Sequence, residues 1–398
     1  MSQAPVAVTG VGVLTPLGDS VASLMEALSA GRSSVGSLTS PAVVAGSPMH
    51  DFEATRYANV RGMRIYNRAT RLGICATRLA LKDAGLEDAG YPAERLGVVM
   101  AGTFAHFDTL IEYDRSLVTQ GPSRTNPALM PLAIPSAPGA VIALSFGAKA
   151  CSITLADGGA GGLDAVGLGA RLVRSGRVGA CVVVSALAFF DELILSAARA
   201  GLLTAADDFR VFDRRSRGTA FGEAGAALVL ESIADAKARG VKPKGLLLAQ
   251  ASTFCRSGED LERALGRAAS KSITASDTDL HTLGLCSSGA NGTARVDGAE
   301  GRALLRVLDG SPNQPAVAAV KASLGESLDT AGLLQTIVAM AALSGSPAPA
   351  VLGLAEPIVP GLAYLSEATA IRGKRALVTA TSQTGACSAL VVGQGAER

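Results

Sequence analysis

The chain has no tryptophan, few aromatic residues and only three histidines, and each scarcity limits what it can do. Aromatic residues make up 4% of the 398 residues, and the histidines are His50, His106 and His281. The six cysteines lie far apart, with no Cys-x-x-Cys pair. The spacing is typical of buried, reduced thiols in a cytoplasmic protein. We expect no metal centre and no cofactor.

An excess of charge and a long hydrophobic run are also missing. The chain carries 36 basic and 34 acidic side chains, a net charge of +2. This balance argues against nucleic acid or a membrane surface as a partner. No apolar run reaches the roughly 18 residues that a membrane-spanning helix needs. The first strand begins at about residue 6 without a charged and apolar leader, so we expect no signal peptide.

What the chain does have is a strong α/β pattern. Hydrophobic residues make up 48% of the sequence, enough to bury a large core. Uninterrupted apolar runs at residues 96–100, 180–184 and 226–230 are typical of strands buried on both faces, as in parallel sheets. Residues 69–84 and 163–174 separate such strands as predicted helices.

The second half of the chain repeats this plan. A small-residue turn at 325–331 precedes a predicted helix at 332–343, and the predicted strand 375–380 resembles the strand at 180. We therefore predict an internal duplication, with halves at residues 1–240 and 241–398. A charged segment, 234–244, would join them. The alternative is an ordinary α/β protein without a duplication.

The turn between residues 156 and 162 is the most informative stretch. A short strand leads into it and a helix follows. This pattern resembles the nucleophile turn of the β-ketoacyl synthase family, where a cysteine sits at a helix N-terminus that favours its thiolate. When the two are matched at Ser152, Ala156, Gly162 and Gly167, Gly159 occupies the position of the cysteine. Glycine provides no nucleophile.

Other segments extend the resemblance over nearly the whole chain. Residues 8–18 resemble the opening strand and turn of ketosynthases. Residues 212–218 and 221–226 resemble the loop and strand beside their active site. Gly10 and Gly12 alone would suggest dinucleotide binding, but no third glycine opens a helix there. The resemblance implies an α/β thiolase fold, with duplicated α-β-α-β-α layers and mixed buried sheets.

The two catalytic histidines of the family are missing as well. Residues 297–300 resemble the acidic anchor that follows one of them, and counting back from it places Gly289 at that histidine. Residues 320–325 resemble the lysine segment that ends just before the other, which places Glu326 there. In the family the cysteine carries the acyl chain, and the histidines assist decarboxylation and stabilise the developing negative charge. The resemblance therefore implies a ketosynthase without catalytic residues.

A ketosynthase-like chain without these groups is similar to the chain-length factor of type II polyketide synthases. This similarity implies a heterodimer with a catalytically intact ketosynthase, which receives substrates from an acyl carrier protein. The growing polyketide would extend into a tunnel at the shared interface. The pairing strand would be Ser152, Ile153, Thr154, Leu155 and Ala156. The tunnel wall would be Ala105, Phe107, Leu129, Met130, Ile134 and Phe190.

Two departures and two alternatives accompany this interpretation. Chain-length factors of aromatic systems usually carry glutamine where this chain has Gly159, which favours a branch that makes reduced or polyene chains. The loop 381–388 lacks the family's gating phenylalanine. One alternative is an active acyltransferase or condensing enzyme that uses Cys151, Cys387 or a serine. The other is a homodimer that binds acyl chains without a synthase partner.

Overall fold

The computed structural model describes residues 4–87, 91–255, 260–309, 311 and 314–395. Its helices are α1 (Val21–Ser29), α2 (Arg68–Asp83), α3 (Phe107–Gln120), α4 (Ala137–Ser145), α5 (Gly161–Arg174), α6 (Asp191–Arg199), α7 (Ile233–Ala238), α8 (Leu261–Ala275), α9 (Ala294–Val307), α10 (Lys321–Leu324) and α11 (Asp329–Leu343). No helix within the described ranges is long and apolar enough to cross a membrane.

The strands of the same ranges form one large sheet and one small sheet. They are β1 (Val6–Leu14), β2 (Gly36–Leu38), β3 (Val44–Ser47), β4 (Leu96–Ala101), β5 (Cys151–Leu155), β6 (Ala180–Leu187), β7 (Phe221–Gly222), β8 (Ala224–Ser232), β9 (Gly245–Phe254), β10 (Leu283–Ser287), β11 (Ala316–Ala318), β12 (Ala363–Tyr364), β13 (Arg375–Thr381) and β14 (Ala386–Gln394).

The large sheet has eleven strands in the order β12-β11-β10-β13-β14-β9-β1-β8-β6-β4-β5. It bends into two layers where β1 meets β9, because these two strands pair only from Val6 to Val8. Helices α5 and α11 pack between the layers, α2 covers one outer face, and α8 and α9 cover the other. The α-β-α-β-α layering of the thiolase fold is therefore confirmed.

The uninterrupted apolar runs of the strands are explained by burial of both strand faces and not by a parallel strand direction. β4 and β6 run parallel, as their apolar runs predict, but β8 pairs antiparallel with both β1 and β6. All but the last residue of β8 is buried, because helices cover both faces of the sheet there. The prediction of a parallel arrangement was wrong for this strand, since a continuous apolar run reports two covered faces and not a direction.

The glycines of β1 have a packing role. A Cβ atom at Gly12 would lie 1.9 Å from the carbonyl oxygen of Ala76, and one at Gly10 would lie 2.2 Å from that of Ala80. Both carbonyls belong to α2, whose first turn is capped by the side chain of Asn67. The Gly10-x-Gly12 pattern therefore lets α2 lie directly on β1.

The strand predicted at 152–156 is β5, one residue earlier than expected. It pairs with β4 and forms the last strand of the large sheet, so its other edge is open within the described chain. Ala156 falls outside the strand, at the start of the glycine turn.

Candidate functional site

The glycine turn connects the end of β5 to the first residue of α5. Gly158 has a left-handed φ of 63°, and its backbone N–H donates to Thr103 Oγ1 at 2.8 Å. Gly159 is buried in the following single helical turn. A Cβ atom on Gly159 would lie 2.3 Å from the carbonyl oxygen of Thr381, at the end of β13. Real Cβ atoms do not come this close to a carbonyl oxygen, so backbone fills the place that a side chain at 159 would need.

Gly289 is closed off by the same strand. A Cβ atom there would lie 2.7 Å from the carbonyl oxygen of Thr379 and 2.9 Å from the Cα atom of Ala380. The N–H of Gly289 donates to Glu300 Oε1 at 2.7 Å, and its carbonyl oxygen accepts a hydrogen bond from Lys321 Nζ at 2.8 Å. Hydrogen bonds thus hold both the N–H and the carbonyl group of residue 289, and a histidine side chain at this position would require β13 to move.

Glu326, which the sequence predicts at the position of the second histidine, has hydrogen bonds to both of its carboxyl oxygens. Its Oε2 accepts from Lys321 Nζ at 2.8 Å and from Asn291 Nδ2 at 3.2 Å. Its Oε1 accepts from the backbone N–H of Leu328 at 2.8 Å. Both side chains of the Lys321–Glu326 pair are almost completely buried. The pair is therefore a buried ion pair of the core.

Two further carboxyl groups near the site are buried and perturbed. Burial raises the pKa of Asp297 to about 7, although the backbone N–H groups of Phe212, Asn291 and Gly292 favour its charged form. Burial likewise raises the pKa of Asp329 to about 7, opposed by hydrogen bonds from Thr103. Asp329 accepts from the N–H of Thr103 at 2.9 Å and from its hydroxyl at 3.2 Å. It thereby fixes the hydroxyl that receives the Gly158 N–H.

A cavity of about 680 Å³ adjoins the vacated positions. Gly159, Ala156 and Glu326 contribute to its wall, and so do four of the ten phenylalanines: Phe104, Phe107, Phe190 and Phe221. A larger surface groove of about 1050 Å³ lies beside α1, where Val21, Met25 and Met340 line it. We place the candidate site in the smaller cavity, because two of the three vacated positions line it.

The predicted tunnel residues divide into two groups. Phe107 and Phe190 line the cavity, whereas Ala105, Leu129, Met130 and Ile134 do not. Ala105 is buried beside Asn67, whose Nδ2 donates to its carbonyl oxygen. Met130 and Ile134 are exposed, because they lie on the loop that connects α3 with α4. The chain alone therefore does not bring all six residues to one wall.

The loop after β13 gives the cavity a polar end. Ser382, Gln383 and Thr384 line this end of the cavity. They belong to the loop 381–388, which was predicted to lack the gating phenylalanine of the family. The loop is held by the N–H of Ser382, which donates to the carbonyl oxygen of Ala386 at 2.7 Å. It is this loop, with Thr381, that covers Gly159.

No cysteine of the described residues lines the cavity. Five of the six are buried and Cys151 is partly buried. Burial raises the pKa of Cys151, on β5, which disfavours its thiolate. Cys387 is fully buried among apolar residues of α8 and α9 and does not line the cavity.

None of the three histidines lines the cavity. His50 and His281 are exposed. His106 is buried, and burial lowers its pKa. Its ring packs against Phe107 with 4.8 Å between ring centroids, and it does not line the cavity. The imidazole is therefore packed into the core beside Phe107.

Exposed apolar side chains gather near the open edge of β5. Of the nine large hydrophobic residues that are exposed in the described chain, five lie between residues 117 and 144: Leu117, Val118, Met130, Ile134 and Leu144. Helix α4, which carries Leu144, packs directly against β5. An unpaired strand beside such a patch is typical of a surface that another protein covers.

The fold and two family models define the class of this protein. The model of the β-ketoacyl synthase N-terminal domain matches residues 3–236, and that of the C-terminal domain matches residues 254–355. The chain belongs to the β-ketoacyl synthase family.

Individual relatives include both polyketide and fatty-acid proteins. The chain is 31% identical to an actinorhodin polyketide putative β-ketoacyl synthase 2 of Streptomyces coelicolor, over 97% of this chain and 98% of that one. It is 27% identical to a 3-oxoacyl-[acyl-carrier-protein] synthase 2 of Synechocystis, over 88% of each. The ishigamide ketosynthase/chain length factor structure superposes with a TM-score of 0.87 at 25% identity, over 98% of this chain and 99% of that one.

Sequence reasoning missed the contacts that close the site. The carbonyl oxygens of Thr379 and Thr381 leave no sequence signal, because any residue has a carbonyl group. The Lys321–Glu326 pair had a signal, since the acid follows the lysine by five positions. Asp329 was overlooked because the predicted helix began at residue 332, three residues after α11 starts.

Proposed function

We propose that this chain is a non-catalytic chain-length factor, which pairs with an active ketosynthase of a type II polyketide synthase and shapes its elongation tunnel. The observation that carries the proposal is the backbone packed against Gly159. The nucleophile is missing, and the carbonyl oxygen of Thr381 also occupies the space a cysteine Cβ would need. Gly289 is obstructed in the same way by β13.

The electrostatics of the cavity support the same conclusion. Condensation needs neutral donors that stabilise a developing negative charge. Glu326 presents a carboxylate instead, and the ammonium group of Lys321 is already committed to it. A charged extender would face this carboxylate, and no lysine or arginine is among the described residues that line the cavity. The site therefore opposes the chemistry of a ketosynthase as well as lacking its residues.

The surface around β5 supports the heterodimer. An open strand edge beside exposed Leu144, Met130 and Ile134 suits a large, apolar, permanent interface. Such interfaces bury roughly 2,000 Å² or more. The partner would be a ketosynthase with an intact cysteine and two histidines, and an acyl carrier protein would serve the complex. Met130 and Ile134 would reach the tunnel from this interface, and Phe107 and Phe190 from the cavity.

The catalytic part of the proposal is tested with the purified chain. Incubated with acyl- and malonyl-loaded acyl carrier protein, it should form no acyl-enzyme and no β-ketoacyl product. Mass spectrometry of the intact protein would detect an adduct on any cysteine or serine. An adduct at Cys151 or Cys387 would instead support the active-enzyme alternative.

The pairing part is tested with two matched charge substitutions. Leu144 is 82% exposed beside β5, and Val43 is 80% exposed on the loop between β2 and β3. Leu144→Glu should abolish co-purification with a co-expressed type II ketosynthase partner, because it buries a charge in the interface. Val43→Glu should leave it intact. A stable homodimer that binds acyl chains and ignores the ketosynthase would support the other alternative.

A further inference from the structure

The outer face of the α8–α9 layer carries a groove that the proposed function does not use. Its volume is about 450 Å³, within the range of small-molecule sites. Cations dominate its wall: Arg263, Arg267 and Lys271 from α8, and Arg306 from α9. Glu262 is the one acidic side chain among the described lining residues.

The spacing of the cations on α8 concentrates their charge. Arg263, Arg267 and Lys271 follow one another at intervals of four residues, so they lie on one face of the helix. All three are exposed. Like charges at this spacing destabilise a helix. No acidic side chain of the described residues forms an ion pair with Arg263 or Lys271.

The wall on the α9 side is held in place. Glu262 has a largely buried side chain, and its carboxylate pairs with Arg302 Nε at 2.7 Å and with Arg306 Nη2 at 2.5 Å. Both of its oxygen atoms are therefore used to orient arginines. A guanidinium group fixed in this way loses less side-chain entropy when it binds an anion.

The floor of the groove is open. No heavy atom lies within 4 Å of the position where Gly266 would carry a Cβ atom, although Gly266 is in the interior of α8. Ser270 offers a hydroxyl group and Val307 an apolar surface beside the cations. The groove thus combines fixed positive charge, a hydrogen-bonding group and an apolar patch around a free space.

We propose that this groove binds a small phosphorylated molecule, of the size and charge of a nucleoside diphosphate. Guanidinium groups match phosphate oxygens with paired hydrogen bonds and can stack on a planar ring. The arginines and Lys271 would hold the phosphates, and Val307 with the arginine side chains would hold the organic part. The groove lies on the outer helical layer, so binding there is independent of the vacated site.

Calorimetric titration of the full chain tests this at low ionic strength, with ADP and inorganic diphosphate as probes. Lys271→Glu and Arg263→Glu should each weaken ADP binding about tenfold or more, a change of about 1.4 kcal/mol. Arg64→Glu, an exposed arginine of the other half, should have little effect. Gly266→Phe fills the groove without changing its charge and should abolish binding, while circular dichroism confirms folding.

The results separate the possible ligands. Tighter binding of ADP than of diphosphate assigns the organic part to the groove, and equal affinities assign the site to the phosphates alone. Either result supports the proposal if the groove variants lose binding. The proposal is overturned if neither probe saturates, if Arg64→Glu weakens binding as much as Lys271→Glu, or if folded Gly266→Phe binds ADP like the native chain. Binding of an acidic carrier protein without binding of either probe also overturns it.

Discussion

A methyl group added at Gly159 should destabilise the fold, although alanine is usually the better residue in a helical turn. Gly159 is not among the glycines with a left-handed φ, so its conformation suits other residues. The conflict is purely steric, because the new Cβ atom would lie 2.3 Å from the Thr381 carbonyl oxygen. Overpacking of this kind costs about 1–3 kcal/mol. Gly159→Cys should cost a similar amount, since the clash is at Cβ and not at the sulfur.

Gly266→Ala is the matched control, because a Cβ atom there meets nothing within 4 Å in the interior of α8. It should stabilise the chain by about 0.5–1 kcal/mol, the usual gain of alanine over glycine in a helix. Urea denaturation followed by circular dichroism measures both. If Gly159→Ala stabilised the chain as Gly266→Ala does, the loop after β13 would move aside at little cost in free energy. The Thr381 carbonyl group would then not prevent a side chain at position 159.

Three other predictions follow from the site. In the reconstituted pair, Phe107→Ala should shift products toward longer chains, because Phe107 lines the cavity. Mass spectrometry of the products measures the lengths, and unchanged lengths in the folded variant would mean that another wall sets them. Gly159→Cys should not restore condensation, since the histidines at 289 and 326 are still missing, and a β-ketoacyl product in the same assay would contradict this. Burial raises the pKa of Asp329 from 3.8 to about 7. Between pH 4 and pH 7, roughly, the Asp329 carboxyl group is protonated in the folded chain but not in the unfolded chain. The free energy of unfolding therefore falls as the pH rises through this range. Asp329→Asn should flatten that fall in urea titrations, whereas exposed Asp51→Asn should not.

Much of the fold follows from the sequence because its signals are local. The apolar runs at 96–100 and 180–184 lie within β4 and β6, and the helix predicted at 69–84 is α2 shifted by one residue. β8 was assigned correctly as a strand but not in direction, which depends on its neighbours. The division into residues 1–240 and 241–398 stays a prediction.

The site was less accessible to sequence reasoning. Spacing from Ser152, Asp297 and Lys321 predicts the three positions where family side chains are missing, and this assignment stays a prediction. Gly159 and Gly289 are blocked by backbone carbonyl groups of β13, which is more than 85 residues away along the chain. A local sequence pattern cannot predict such a contact. Leu129, Met130 and Ile134 do not line the cavity of the single chain, and their place in a tunnel wall shared with a second chain stays a prediction.

Under the proposed function, the buried Lys321–Glu326 pair would make the loss of catalysis difficult to reverse by mutation. A histidine at 326 would leave the Lys321 ammonium buried without its counter-charge, and removing one member of a buried pair costs about 3–5 kcal/mol. A cysteine at 159 and a histidine at 289 would each have to displace backbone. A lineage returning to activity would therefore pass through intermediates that are less stable and still inactive, so selection would oppose each single step.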